Sequence, residues 1–175
     1  GESHFLEQQI CDGLVDVGLF PTPIYSQDLE SYPVLDEQIL LAISVENKKA
    51  IDIADSLMTG DGIREISPFG AFPFILLREG LKLRMLVNRL CQAESFVPKA
   101  VIGSETLDSC RSLVEDDYGI TFLPSTLNSK GDDDKVKFYP LASKLCFRQL
   151  VLVARSDRAK RFHLSEVAHI MQQFL

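Results

Sequence analysis

PFILL (Pro73–Leu77), REG (Arg78–Gly80) and an amphipathic run from Leu81 to Ala93 form one strand–loop–helix unit. KAVIG (Lys99–Gly103), SET (Ser104–Thr106) and a helical run to Asp117 form a second, which closes on YGITFLP (Tyr118–Pro124). Each unit ends a hydrophobic strand in a short polar loop at a helix N-terminus. Unpaired backbone N–H groups and the positive end of the helix dipole meet there, so in open parallel sheets such loops hold small ligands.

The flanking sequence continues the pattern. Ser3 to Cys11 reads as a helix stopped by Gly13, and Leu14–Phe20 as a buried strand. Pro21 and Pro23 force a loop. Leu29–Gln38 and Ile39–Ser44 read as extended segments, and Ile51 to Met58 has helical spacing. GDG (Gly60–Gly62) and Ser67–Pro73 read as loops. Beyond Pro124, GDDDK (Gly131–Lys135) reads as an exposed acidic loop, Val136–Leu141 and Phe147–Arg155 as strands, and Ser156–Arg161 as a charged turn. A closing helix, His163 to Leu175, has Leu164, Val167, Ile170, Met171 and Phe174 on one face. Strands alternating with helices predict an α/β fold with a largely parallel sheet.

Two passages of the chain predict two lobes with a ligand cleft between them. The first is expected at the polar VENKK stretch, with Ser44 and Val45 as hinge residues, and the second at Pro124 and Ser125. One subdomain then comprises residues 1–45 and 125–175, the other 46–124.

Composition narrows the function. A chain of 175 residues, 46% hydrophobic and 25% charged, is that of a soluble globular protein. No run approaches the roughly 18–20 apolar residues of a membrane span. A net charge of −7 argues against this chain gripping nucleic acid itself. Its basic residues Arg148, Arg155, Arg158, Lys160 and Arg161 read as a solvated strand end and loop. Cys11, Cys91, Cys110 and Cys146 form no CxxC pair, and buried free thiols in a reducing, cytoplasmic setting are expected. The start Gly-Glu-Ser, without Met, suggests a piece of a longer protein.

Catalytic signatures are missing from the sequence. There is no GxSxG elbow, HExxH, GxGxxG or P-loop. His163 and His169 are six apart on one helix, nearly on opposite faces, and His4 is remote. No catalytic residue, metal site or cofactor is expected, and the chain is not read as an enzyme.

Taken together, the segments resemble the effector-binding domain of LysR-type transcriptional regulators. The resemblance rests on GESHFLEQQICDGLVDVGL, PVLDEQILLAIS, PFILLREGLKLRMLVNRL, ETLDSCRSLVEDDYGITFLP and FYPLASKLCFRQLVLVARSDR, and so covers nearly the whole chain. Its most specific piece ends GITFLP, where the family pattern is LVxxGxGITxLP and Asp117 stands in the place of the first glycine.

The resemblance implies a two-lobed fold like type II periplasmic binding proteins, with mixed sheets and flanking helices. It implies a small-molecule effector in the cleft of a homodimer or homotetramer. DNA contact is expected only through a separate N-terminal winged helix-turn-helix. It further implies that a first strand–helix–strand unit precedes the residues matching Gly1. Peroxide-sensing members place a reactive cysteine two residues after the glycine of the REG loop. Lys82 occupies that position, so Cys91 is read as helix packing rather than half of a thiol switch. The alternative function is a solute-binding protein for transport with the same fold.

The expected effector contacts are Leu77, Arg78, Glu79 and Gly80 on one loop and Ser104, Glu105 and Thr106 on the next. Thr121 and Phe122 are expected near the carboxyl end of the last strand, and Pro21 and Thr22 on the other lobe. Ser104 doubles as a candidate N-cap. The first helix and the Leu107–Asp117 helix are the expected dimer surfaces, with Cys110 and Val114 interfacial.

Overall fold

A computed structural model of the chain describes residues 2–128 and 135–174. All of the expected acidic loop except Lys135 lies outside these. The elements in chain order are α1 (Glu2–Cys11), β1 (Val17–Pro21), β2 (Leu29–Ser44), α2 (Lys48–Leu57), β3 (Met58–Thr59) and β4 (Gly62–Ile63). After a 3-10 turn at Ser67–Ala71 come β5 (Pro73–Leu77), α3 (Lys82–Ala93), β6 (Lys99–Ser104), α4 (Leu107–Glu115) and β7 (Thr121–Pro124). The chain closes with β8 (Val136–Tyr139), β9 (Phe147–Arg155), α5 (Ser156–Ala159) and α6 (Leu164–Gln172).

The chain divides into two compact units, Gly1–Glu37 with Arg148–Leu175, and Gln38–Phe147. It passes from one to the other inside β2 and again at the start of β9. The expected passages at Ser44–Val45 and Pro124–Ser125 both fall inside the second unit.

In the first unit β1 pairs antiparallel with β9, and β9 lies beside β2. Alternation along β9 feeds two small cores. Leu152 and Ala154 pack with Val34, Ala159, Leu164 and Ala168, while Val151 and Val153 pack with Ile10 and Phe20. The buried face of α6 is therefore Leu164 and Ala168, backed by Met171; Val167, Ile170 and Phe174 of the expected face are exposed. Leu14 and Leu19 are also exposed, so β1 is shorter and less buried than the expected strand Leu14–Phe20. The expected turn after β9 contains the short helix α5. Two of the basic residues expected to be solvated are ion-paired, Arg155 with Asp157 and Arg158 with Asp16, while Lys160 and Arg161 are exposed. Arg148 donates to Glu37 at 2.5 Å, a carboxylate almost wholly removed from solvent.

In the second unit the C-terminal half of β2, Ile39 to Ser44, is buried on both faces. It pairs antiparallel with β7 and with β8. β5 pairs in parallel with β6 and, through Ile120, with the lead-in to β7. Ile120 donates to the Pro73 carbonyl and accepts from Ile75. Gly119 makes that approach possible, because a Cβ there would meet the Pro73 carbonyl oxygen at 2.6 Å. The sheets are thus mixed. The pairings of β1 with β9, β2 with β7 and β8, and β3 with β4 are antiparallel, which corrects the expectation of a largely parallel sheet. The reason is that β2 takes its partners from distant segments running the other way.

Helices α2, α3 and α4 cover this sheet through Ala50, Ile51 and Ala54, through Leu83, Val87 and Leu90, and through Cys110 and Val114. Phe74 stacks on Phe122 with ring centroids 5.7 Å apart at the centre. Cys110 and Val114 belong to this single-chain core, at 1% and 0% exposure. The expectation that they are interfacial is corrected: the apolar stripe of α4 faces its own sheet.

Two local features have clear causes. Asn47 caps α2 by accepting from the Ala50 N–H, and its amide donates to the Asp117 carboxylate at 2.9 Å. Asp117 itself has φ of 56°, the left-handed conformation that ends α4, where glycine is the usual residue. Aspartate tolerates this backbone better than most side chains, and here its carboxylate is used.

Burial also sets the thiols. Desolvation pushes Cys91 up to about 12, and raises Cys110 and Cys146 as well. A thiol held above its ordinary value stays protonated, and so unreactive, at neutral and mildly alkaline pH. Alkylation of the native chain at pH 8, read by mass spectrometry, should label Cys11 first, with the other three reacting only after unfolding. Asp117→Ala should cost about 1–2 kcal/mol in urea unfolding, combining backbone strain with a lost hydrogen bond. Phe74→Ala should cost about 3–5 kcal/mol, the usual range for emptying an aromatic core position.

Candidate functional site

β5 and β6 are parallel neighbours in register from Pro73–Lys99 to Leu77–Ser104, apart from one irregularity at Phe74/Ile75. Their C-terminal ends therefore bring the loops Arg78–Gly80 and Ser104–Thr106 side by side. The Arg78 N–H donates to the Ser104 carbonyl at 2.8 Å. The Arg78 guanidinium and the Glu105 carboxylate are 3.5 Å apart, both well exposed. One backbone bond and one ion pair thus join the two expected loops.

The two helix starts differ. α4 is capped by Thr106, whose hydroxyl oxygen accepts from the Ser109 N–H at 3.2 Å. The cap is Thr106 rather than Ser104. The Ser104 hydroxyl is buried, donates to the Thr106 carbonyl and accepts from the Thr106 N–H. α3 opens instead on Leu81, which offers no side-chain cap, and has no acidic residue in its first turn. Gly80 precedes it with φ of 89° and open space where a Cβ would stand. That start presents backbone donors and a partial positive charge, and its first turn holds no acidic side chain.

The remaining expected residues are dispersed. Leu77 is buried, and its carbonyl accepts from Arg84 at 3.1 Å. Glu79 turns toward α3, pairing with Arg84 at 2.7 Å and approached by the Asn88 amide. Thr121 and Phe122 begin β7 rather than end it, which corrects their expected position. Both are buried; the Thr121 hydroxyl donates to the Ile75 carbonyl at 2.5 Å, and Phe122 packs on Phe74. Pro21 and Thr22 belong to the first unit, where the Thr22 N–H donates to Gln149. Of the expected hinge residues, Ser44 ends β2 fully buried and Val45 donates to Lys135. Pro124 ends β7, and the Ser125 hydroxyl accepts from the Gln38 N–H.

Arg84 and Asn88 went unnoticed in the sequence. Arg84 Nε donates to Asn88 Oδ1 at 2.9 Å while its two other nitrogens hold Leu77 and Glu79. Their i,i+4 spacing beside an acidic loop was the available signal. Among the described residues no group of three or more His, Cys, Asp or Glu is arranged to hold a metal. No helix among them is long and apolar enough to cross a membrane.

Comparison with known proteins accounts for this arrangement. The family model described as the LysR substrate binding domain matches residues 1–175. The chain is 28% identical over 162 residues to the HTH-type transcriptional regulator YcgK of Bacillus subtilis, covering 87% of this chain and 49% of that protein. It is 24% identical to YwbI of the same organism, covering 90% and 49%. The chain thus spans about half the length of these curated relatives.

Among solved structures, the reduced OxyR regulatory domain of Pseudomonas aeruginosa superposes with a TM-score of 0.74 at 16% identity, covering 98% of this chain and 79% of that one. The BenM effector binding domain with its effector benzoate gives 0.76 at 13% identity, covering 98% and 76%. At these identities the likeness is one of fold, the periplasmic-binding-protein-like fold of LysR effector-binding domains. With the family model matching from end to end, this chain belongs to the LysR substrate-binding domain family.

Proposed function

We propose that this chain is the effector-sensing part of a LysR-type transcription regulator, and that its effector is a small carboxylate or amino acid seated on the Arg78–Gly80 loop. The family match along all 175 residues carries the first half of this reading. In the full protein, on this reading, a separate helix-turn-helix segment contacts DNA and the regulator works in the cytoplasm as a homodimer or homotetramer. Sensing rather than catalysis is the role that the family membership supports.

The uncapped start of α3 supports the second half. A carboxylate there gains the backbone donors after Gly80 and the nearby Arg78 guanidinium. Glu105, 3.5 Å from Arg78, competes for the same cation and suits a ligand that also carries an ammonium group. The buried Ser104 hydroxyl and the Thr106 cap hold the loop in shape beneath it. The ligand changes the regulator only through its differential affinity for two conformations. Pro21 and Thr22 lie in the other unit, so this proposal rests on the second unit alone.

A thermal-shift screen of small carboxylates and amino acids tests it. Stabilising compounds should lose about tenfold in affinity in Arg78→Gln, the usual cost of removing a charge-assisted hydrogen bond. Glu105→Gln should weaken amino acids while sparing simple carboxylates. Equal binding in the wild-type chain and Arg78→Gln would show that the loop is not the site.

A further inference from the structure

Behind the Arg78–Gly80 loop, a cavity of about 440 Å³ opens along α3. That volume lies within the range of small-molecule sites. Its apolar lining is Phe96, the exposed Val97 and the buried Pro98 of the segment leading to β6. Its polar lining is Glu79, Arg84, Asn88, Gln92 and Ser95.

The hydrogen-bonding state of these groups selects the ligand. Each nitrogen of Arg84 already has a partner in Asn88, Leu77 or Glu79, and the Glu79 carboxylate balances its charge. The Glu79 carboxylate is 72% exposed and retains lone pairs beyond its bonds to Arg84 and Asn88. Among the described residues the Gln92 amide and the Ser95 hydroxyl have no hydrogen-bond partner. The cavity therefore offers an acceptor that repels anions, two groups able both to donate and to accept, and an apolar lining.

A carboxylate would meet Glu79. An alkylammonium could donate to Glu79, Gln92 and Ser95 but would leave Phe96 and Pro98 uncovered. A planar nitrogen heterocycle with an exocyclic amino group meets Glu79, Gln92 and the apolar lining together. Its amino group donates to Glu79, a ring nitrogen accepts from the Gln92 amide, and its face packs on Phe96 and Pro98. We infer that this cavity is a second ligand site, sharing only Glu79 with the Arg78–Gly80 loop, for a planar amino-substituted nitrogen heterocycle of one or two rings. Because Arg84 fastens both Glu79 and the Leu77 carbonyl, a ligand pulling on Glu79 acts on the strand end that carries the first loop. The assignment does not depend on the effector reading, since Gln92, Ser95, Phe96 and Pro98 take no part in it.

Titration of the isotopically labelled 175-residue chain with adenine, followed by ¹H–¹⁵N spectra, tests the inference. The expected result is saturable shifts at Glu79, at the Gln92 side-chain amide and at residues 94–98. Gln92→Leu, an exposed change that leaves the core intact, should weaken adenine about tenfold, the loss of one good hydrogen bond. Purine without the amino group should also bind several-fold more weakly, and Arg78→Gln should leave adenine affinity unchanged. No shifts at millimolar adenine would overturn the site. Binding of indole or purine as tight as adenine would overturn the ligand class. Adenine binding lost in Arg78→Gln but kept in Gln92→Leu would place the ligand on the first loop and overturn the second site, while leaving the effector reading standing.

Discussion

Six successive residues of β2, Ile39 to Ser44, are sealed on both faces, and the second unit is organised by what that burial demands. A strand hidden from water must have its backbone groups paired along both edges. β7 and β8 supply those pairs. Its two side-chain faces must also be covered, and the helices of the second unit bury their apolar residues in the same core. The preceding half of the same strand is only partly covered, with Val34 and Glu37 buried and Ser31, Pro33 and Asp36 exposed. The change between the two regimes falls at Glu37 and Gln38, where the chain passes between units.

From that arrangement follows the exposure of the candidate loops. β5 is held between β6 and Ile120, so its register is fixed along its length. The ends of β5 and β6 then emerge together, and their loops share a backbone hydrogen bond before any ligand is considered. The ion pair over that bond is exposed, and exposed pairs contribute little to stability. Arg78 and Glu105 thus sit on a rigid support without being part of it. Ser104 and Thr106 are the support. Their hydroxyls are spent on the turn and the cap, so polarity alone was a poor guide to which residues face outward.

Much of the second unit was legible from sequence. Strands β5 and β6 and the helices after them follow from short apolar runs broken by Gly80 and by the Ser104–Thr106 loop, and the structure keeps their bounds to within a residue or two. The sheet's direction was not legible, because periodicity describes a strand and says nothing of its partner. Thr121 and Phe122 were misplaced for a related reason: the chain is extended from Gly119, but the ladder with β2 starts only at Thr121. α6 shows another limit. Its apolar residues exceed what its own unit covers, so pattern alone chose a face that the structure leaves half open. Arg84 and Asn88 were hidden because each is ordinary on a helix surface, and only the turn of Glu79 toward them makes a network.

Asp117 in the place of a family glycine carries a consequence for substitution. Its carboxylate draws on the amide nitrogen of Asn47, while the oxygen of the same amide caps α2. Serine, threonine or aspartate would cap that helix about as well, but none offers a second donor arm directed at residue 117. A relative with glycine at this position has no use for that arm. Substitution at either position therefore breaks the tie between the α2 cap and the end of α4, so positions 47 and 117 are physically coupled across seventy residues of chain.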